Sequence, residues 1–121
     1  MKIAVTAAGD QLNSDVDPRF GRCKYFIIVD TNTMSFKAVL NTPGSGGAGI
    51  AAGQTVASHG AKTVLTGDCG PNAYQVLSAA GIEVITGVSG KVKDAVEAYK
   101  AGKYQAISQP SVEPHHGQAS K

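Results

Sequence analysis

The residues able to do chemistry in this chain are few and gathered in two stretches. Cys69 sits in the turn Thr66-Gly-Asp-Cys-Gly-Pro-Asn-Ala-Tyr74, where the apolar run Thr63-Val64-Leu65 gives way to a helix-like pattern. Cys23 stands between Arg22 and Lys24 in "DPRFGRCKYF", a stretch that also holds both arginines of the chain, Arg19 and Arg22. A thiol just ahead of a helix and a thiol flanked by cations are each expected to have a lowered pKa, and the resulting thiolate binds soft metals. Two guanidinium groups so close in sequence suit a two-armed grip on an anion, since each offers a rigid fork of donors. Plainer readings stand beside these: a small buried hydrophobe for either cysteine, and ion pairs with Asp15 and Asp17 for the arginines.

A second signal is the glycine loop "NTPGSGGAGI", which opens onto a small-residue helix. Loops that run into helix starts present unpaired N–H groups and the positive end of the dipole, so Gly46, Gly47 and Gly49, like Gly70 and Asn72 beside Asp68, are candidate anion contacts. Gly44, Gly46 and Gly49 also satisfy G-x-G-x-x-G, and Asp68 follows at about the ~20-residue interval of a ribose-binding acid, which keeps a nucleotide site as an alternative. The chain is short for that fold, and Pro43-Gly44 makes a looser turn than the fingerprint requires. G-K-[ST] is absent, which excludes a P-loop. The first strand carries no carboxylate for a two-metal nuclease. Cys69 has no base partner in sequence. His59 reads as a dipole partner at a helix end, and His115-His116 as incidental metal affinity.

The remaining composition excludes several classes. At 121 residues, with 42% hydrophobic and 17% charged residues, the chain is the size of one ordinary globular domain. A net charge of +2 with scattered lysines gives no basic stripe for nucleic acid. No apolar run reaches membrane-spanning length, and the first one is too short for a signal sequence, so a cytoplasmic location is expected. Two distant cysteines without C-x-x-C argue for thiols rather than a disulfide framework or a zinc site.

Hydrophobic periodicity predicts strands over 3–7, 24–30 and 35–40, a helix over 48–58, a strand over 62–66, a helix over 71–80, a strand over 82–85 and a helix over 91–100. Pro71 opens the second helix and Gly81 stops it. The order β-β-β-α-β-α-β-α predicts a mixed five-stranded sheet with one antiparallel strand and helices on its faces, the layout of a ribonuclease H-like three-layer α/β fold. Residues 1–105 form the expected domain and 106–121 an expected mobile tail. In such sheets ligands bind beyond the carboxyl ends of the parallel strands. That edge should gather residues 8–23, 41–49 and 68–70, of which the first is long enough to be a binding loop or a mobile one.

"DPRFGRCKYFIIVD", "GAGIAAGQ", "GDCGPNAYQVLSAAGIEVITG" and "GKVKDAVEAYKAGK", in this order and spacing, closely resemble the dinitrogenase iron-molybdenum cofactor biosynthesis family, which includes NifX-like proteins and the carboxyl-terminal domain of NifB-like proteins. The resemblance covers about residues 1–104 and puts the family's F-G-R motif on Phe20, Gly21 and Arg22, its glycine-loop helix start on residues 47–50 and its G-P-N-A turn on residues 70–73. Arg19 stands where many members have histidine, which removes a candidate metal ligand. The resemblance implies a ribonuclease H-like fold and non-catalytic binding or carriage of an anionic metal-sulfur cluster, an iron-molybdenum cofactor precursor or a related molybdenum or iron-sulfur cluster. Its implied partners are cofactor-assembly proteins or an acceptor metalloenzyme. On this view Arg19 and Arg22 hold the cluster's charge, helix-start N–H groups donate to its sulfides, and Cys69 with Cys23 supplies thiolate. The alternative from another class is a protein-interaction or regulatory module on the same fold.

Overall fold

The computed structural model describes residues 1–42 and 48–110. Its elements follow the order expected: β1 (Lys2–Ala7), β2 (Tyr25–Asp30), β3 (Phe36–Leu40), α1 (Ala48–Ser58), β4 (Thr63–Leu65), α2 (Pro71–Ala79), β5 (Glu83–Ile85) and α3 (Val92–Lys100). The strands form one sheet in the order β3-β2-β1-β4-β5. β1, β4 and β5 are parallel, and β2 runs antiparallel to both of its neighbours, β1 and β3.

Alternation along the strands sorts the core into two layers. Ala4, Phe26, Ile28, Val64 and Val84 pack with Ala52 and Val56 of α1 and with Ala73 and Leu77 of α2. Ile3, Val5, Ile27, Val29, Leu65 and Ile85 pack with Val92, Ala95 and Val96 of α3 on the other face. The central strand is therefore covered on both sides, which is why every residue of β1 after Lys2 is buried and all but Thr6 are apolar. The second helix stops as its sequence predicts. Gly81 takes the left-handed conformation (φ 75°), its N–H bonds the Ser78 carbonyl at 3.0 Å, and the Ile82 N–H bonds the Leu77 carbonyl at 2.9 Å.

The small residues of α1 have a more specific use than contact with the sheet. A Cβ on Gly53 would lie 2.7 Å from Val76 Cγ1, and one on Gly49 would lie 3.1 Å from the Ala73 nitrogen. The two glycines let α1 approach α2 backbone to backbone, which sets how close the starts of the two helices stand. After α3 the chain keeps contact with the sheet, since the Ile107 N–H bonds the Val84 carbonyl at 2.8 Å. His115, His116, Gly44, Gly46 and Gly47 lie outside the described residues.

Gly53→Leu places a side chain where Val76 stands, and overpacking of this kind costs about 1–3 kcal/mol. Urea unfolding of this variant should show that loss, whereas Gln54→Leu, on the exposed side of α1, should stay within about 0.5 kcal/mol of the parent.

Candidate ligand pocket at the strand ends

The long segment after β1 is threaded along the ends of the sheet. Its Asp17 N–H bonds the Thr6 carbonyl at 2.9 Å, and Thr6 Oγ1 bonds both the Asp17 carbonyl (2.6 Å) and the Thr66 hydroxyl (2.9 Å). The Val16 N–H bonds the Gly90 carbonyl at 2.8 Å, just ahead of α3. One step further, the Asp68 N–H bonds the Pro18 carbonyl at 2.7 Å and the Phe20 N–H bonds the Asp68 carbonyl at 3.3 Å, so Arg19 pairs with Asp68 as an extra rung beyond β4. Gly67 permits this, because a Cβ there would lie 2.6 Å from Pro18 Cα.

Phe20 fixes the segment from below. Its side chain is buried among the core residues, with its ring 5.5 Å from that of Phe26. Burying a side chain of this size is worth about 1.5–3 kcal/mol, enough to hold the neighbouring arginines at the rim. The far end is tied by Asn41, whose side-chain amide donates to the carbonyls of Gly21 (3.2 Å) and Cys23 (2.9 Å).

These ties enclose a pocket of about 480 Å³. Arg19, Phe20, Gly21 and Arg22 line it from the first segment, Gly49 from α1, and Asp68, Gly70, Pro71, Asn72 and Ala73 from the turn and first residues of α2. Gly46 and Gly47 cannot be assigned to its wall, since they lie outside the described residues. Cys69 and Cys23 are not among the lining residues. The sequence placed residues 70–73 and 41–49 at this edge but did not single out Pro71 and Ala73 as wall residues or Asn41 as a support, and it missed Gly67. An asparagine at the end of an edge strand was the available signal for Asn41.

The pocket is richer in donors than in net charge. Arg19 and Arg22 are exposed, but Arg19 Nε lies 3.3 Å from Asp17 Oδ1, and the exposed Asp68 lines the same wall. Asp15, the other expected arginine partner, pairs instead with Lys91 at 2.9 Å. The grip on an anion expected of the two arginines is thus tempered by two carboxylates. α2 contributes an open start: Gly70 is extended (φ −77°, ψ 176°), Pro71 occupies the first turn, and neither a side-chain cap nor an acidic residue covers its N–H groups. Such a terminus favours an anion by about 0.3–1 kcal/mol.

The expected thiolates are corrected by the structure. Cys23 and Cys69 are both buried in the cluster beneath α1 and α2. Burial, helped by the nearby Asp17 charge, pushes the Cys23 thiol from its ordinary 9.0 up to about 12, and the opposing pull of Arg19 is weaker. Burial alone pushes Cys69 up to about 11. Arg22 and Lys24 reach into water while the sulfur between them turns inward, so adjacency in sequence does not become proximity of charge. The Cys23 thiol also donates to the Phe20 carbonyl at 3.3 Å, a bond that only the protonated form can make. At Cys69 the loss of hydration raises the pKa, against the lowering expected from its place ahead of α2. Among the described residues no group of three or more His, Cys, Asp or Glu side chains is arranged to hold a metal ion.

A rise from 9.0 to about 11 lowers the thiolate fraction roughly 100-fold at pH 8, and a rise to about 12 roughly 1,000-fold. Iodoacetamide should therefore label both cysteines in urea within minutes and leave the native protein almost unlabelled at pH 8. Fast native labelling of Cys69 would contradict the burial assigned to it.

The same architecture recurs in solved structures. The apo form of the orange protein from Desulfovibrio gigas is 43% identical, with a TM-score of 0.87 over 91% of this chain and 95% of that one. A protein from Thermotoga described as a candidate NifB protein is 32% identical, with a TM-score of 0.78 over 89% of this chain and 94% of that one. An uncharacterized protein of Methanocaldococcus jannaschii is 28% identical over 110 residues, which are 87% of this chain and 90% of that protein. The family model for the dinitrogenase iron-molybdenum cofactor matches residues 1–102, from the start of β1 to the glycine after α3 and so across every element that builds the pocket. The chain belongs to the dinitrogenase iron-molybdenum cofactor family.

Proposed function

We propose that this protein binds and hands on an anionic metal-sulfur cluster, an iron-molybdenum cofactor precursor or a related molybdenum or iron-sulfur cluster, without catalysing a bond change. The observation that carries this reading is the convergence of two arginines and an uncapped helix start on one pocket of about 480 Å³. Its volume lies within the ~300–1,000 Å³ range of small-ligand sites. Guanidinium and backbone N–H groups are donors, and the outward sulfides of such a cluster are acceptors.

With both thiols buried and protonated, this cargo arrives with its metal coordination already complete and is held by hydrogen bonds to its surface. That replaces the expectation that Cys69 and Cys23 ligate it. Asp17 and Asp68 limit the affinity, which suits a carrier that must release its load to an acceptor metalloenzyme or another assembly protein. The ribonuclease H-like designation of the fold and a cytoplasmic location belong to the same reading. The nucleotide alternative loses ground because Gly49, its third fingerprint glycine, stands against Ala73 at the α1–α2 contact.

The test is metal and sulfide retained per chain after anaerobic incubation with iron, sulfide and molybdate followed by desalting. Near-stoichiometric, coloured occupancy is expected for the parent and for Cys69→Ala, with at least a threefold loss for Arg22→Ala. Uptake no greater than that of an unrelated protein of similar charge would overturn the reading.

A further inference from the structure

A second hollow, of about 240 Å³, lies at the opposite end of the sheet from the arginine pocket. Lys2 at the start of β1, Asp30 at the end of β2, Phe36 and Lys37 of β3, and His59 just beyond α1 line it. Asp30 is engaged locally: its carboxylate accepts the Asn32 N–H at 2.9 Å and lies 3.9 Å from the terminal ammonium. Lys2 and Lys37 are exposed, and neither has an ion pair among the described residues.

Among the described residues, the hollow adjoins an open strand edge. β3 ends the sheet on this side, whereas β5, at the other edge, is met by Ile107. Phe36 is 40% exposed and Leu40 53%, and with Met1 they are the exposed large apolar side chains among the described residues. Alternation puts Phe36, Ala38 and Leu40 on one face of β3, and Lys37 and Val39 on the other. An edge strand offers unpaired N–H and C=O groups to an added strand, and specificity then comes from alternate side chains.

We propose that β3 receives an extended segment of a partner protein in which acidic and apolar residues alternate, so that the sheet gains a sixth strand. Acidic residues of that segment meet Lys37, with Lys2 and His59 lining the hollow behind it, and its apolar residues meet Phe36 and Leu40. A second copy of this chain is a poorer occupant, because antiparallel pairing of two β3 strands in a continued sheet brings another Lys37 to the same basic face. A small anion would use the lysines and leave the apolar face and the strand edge without a role.

The test is an amide NMR titration of the isotope-labelled full chain with a capped peptide of alternating Glu and Val. Lys-Val peptide and inorganic phosphate serve as the other arms. Expected are shifts at Lys2, residues 36–40 and His59 and slowed exchange of β3 amides, with residues 19–22 and 70–73 unmoved and the chain monomeric by sedimentation. Lys37→Glu should weaken binding roughly tenfold. No response of β3 to the Glu-Val peptide, an equal response to the Lys-Val peptide, the same shift map with phosphate alone, or self-association through β3 would each overturn the proposal. Because the arginine pocket lies at the other end of the sheet, its loading with metal and sulfide is scored separately, so either reading can fail alone.

Discussion

The pocket depends on one seam, where residues 16–20 lie against residues 66–68 beyond the ends of β1 and β4. Thr6, Asp17 and Thr66 close a buried hydrogen-bonded set at its base, and Pro18, Asp68 and Phe20 continue it outward as a short rung of sheet. Buried polar groups are costly unless paired, so a set of this kind holds one register and rejects neighbouring ones. Phe20 adds the apolar anchor, and Gly67 removes the side chain that would force the strands apart. Through this seam a long segment without regular structure becomes rigid enough to hold two guanidinium groups at the start of α2.

The same seam decides what the pocket can do. By turning Phe20 and Cys23 inward it turns Arg19 and Arg22 outward, which gives the wall donors and denies it thiolate. The carboxylates of Asp17 and Asp68 stand close to those donors and lower their pull on an anion. A site built from donors with partial counter-charge suits a guest with many weak acceptors better than a bare metal ion. Fold alone carries no function, and the dinitrogenase iron-molybdenum cofactor family supplies the chemical context in which this donor set makes sense.

Much of this was legible in the sequence, for identifiable reasons. The element order followed from periodicity and from local stops such as Pro71 and Gly81, whose effects act within one turn of helix. The rule that parallel sheets bind ligands at their carboxyl ends pointed to the edge where the pocket lies, and Arg22, Gly70 and Asn72 are among the residues that line it. The thiolate reading of the cysteines failed and the plainer one, a small buried side chain, held, because a pKa depends on burial, and burial is set by contacts from distant segments that no local pattern reports. Gly53 and Gly67 were missed as close-contact positions for a similar reason. Each is defined by a partner, Val76 or Pro18, that only the folded chain brings near.

The most direct measurement is an anaerobic amide NMR titration of the labelled protein with a thiometalate anion such as tetrathiomolybdate. Saturable shifts are expected that are confined to Arg19, Phe20, Gly21, Arg22, Gly49, Asp68, Gly70, Asn72 and Ala73, with the cysteine signals keeping the character of protonated thiols. Shifts centred elsewhere, or loss of the thiol proton from Cys69 on binding, would contradict it.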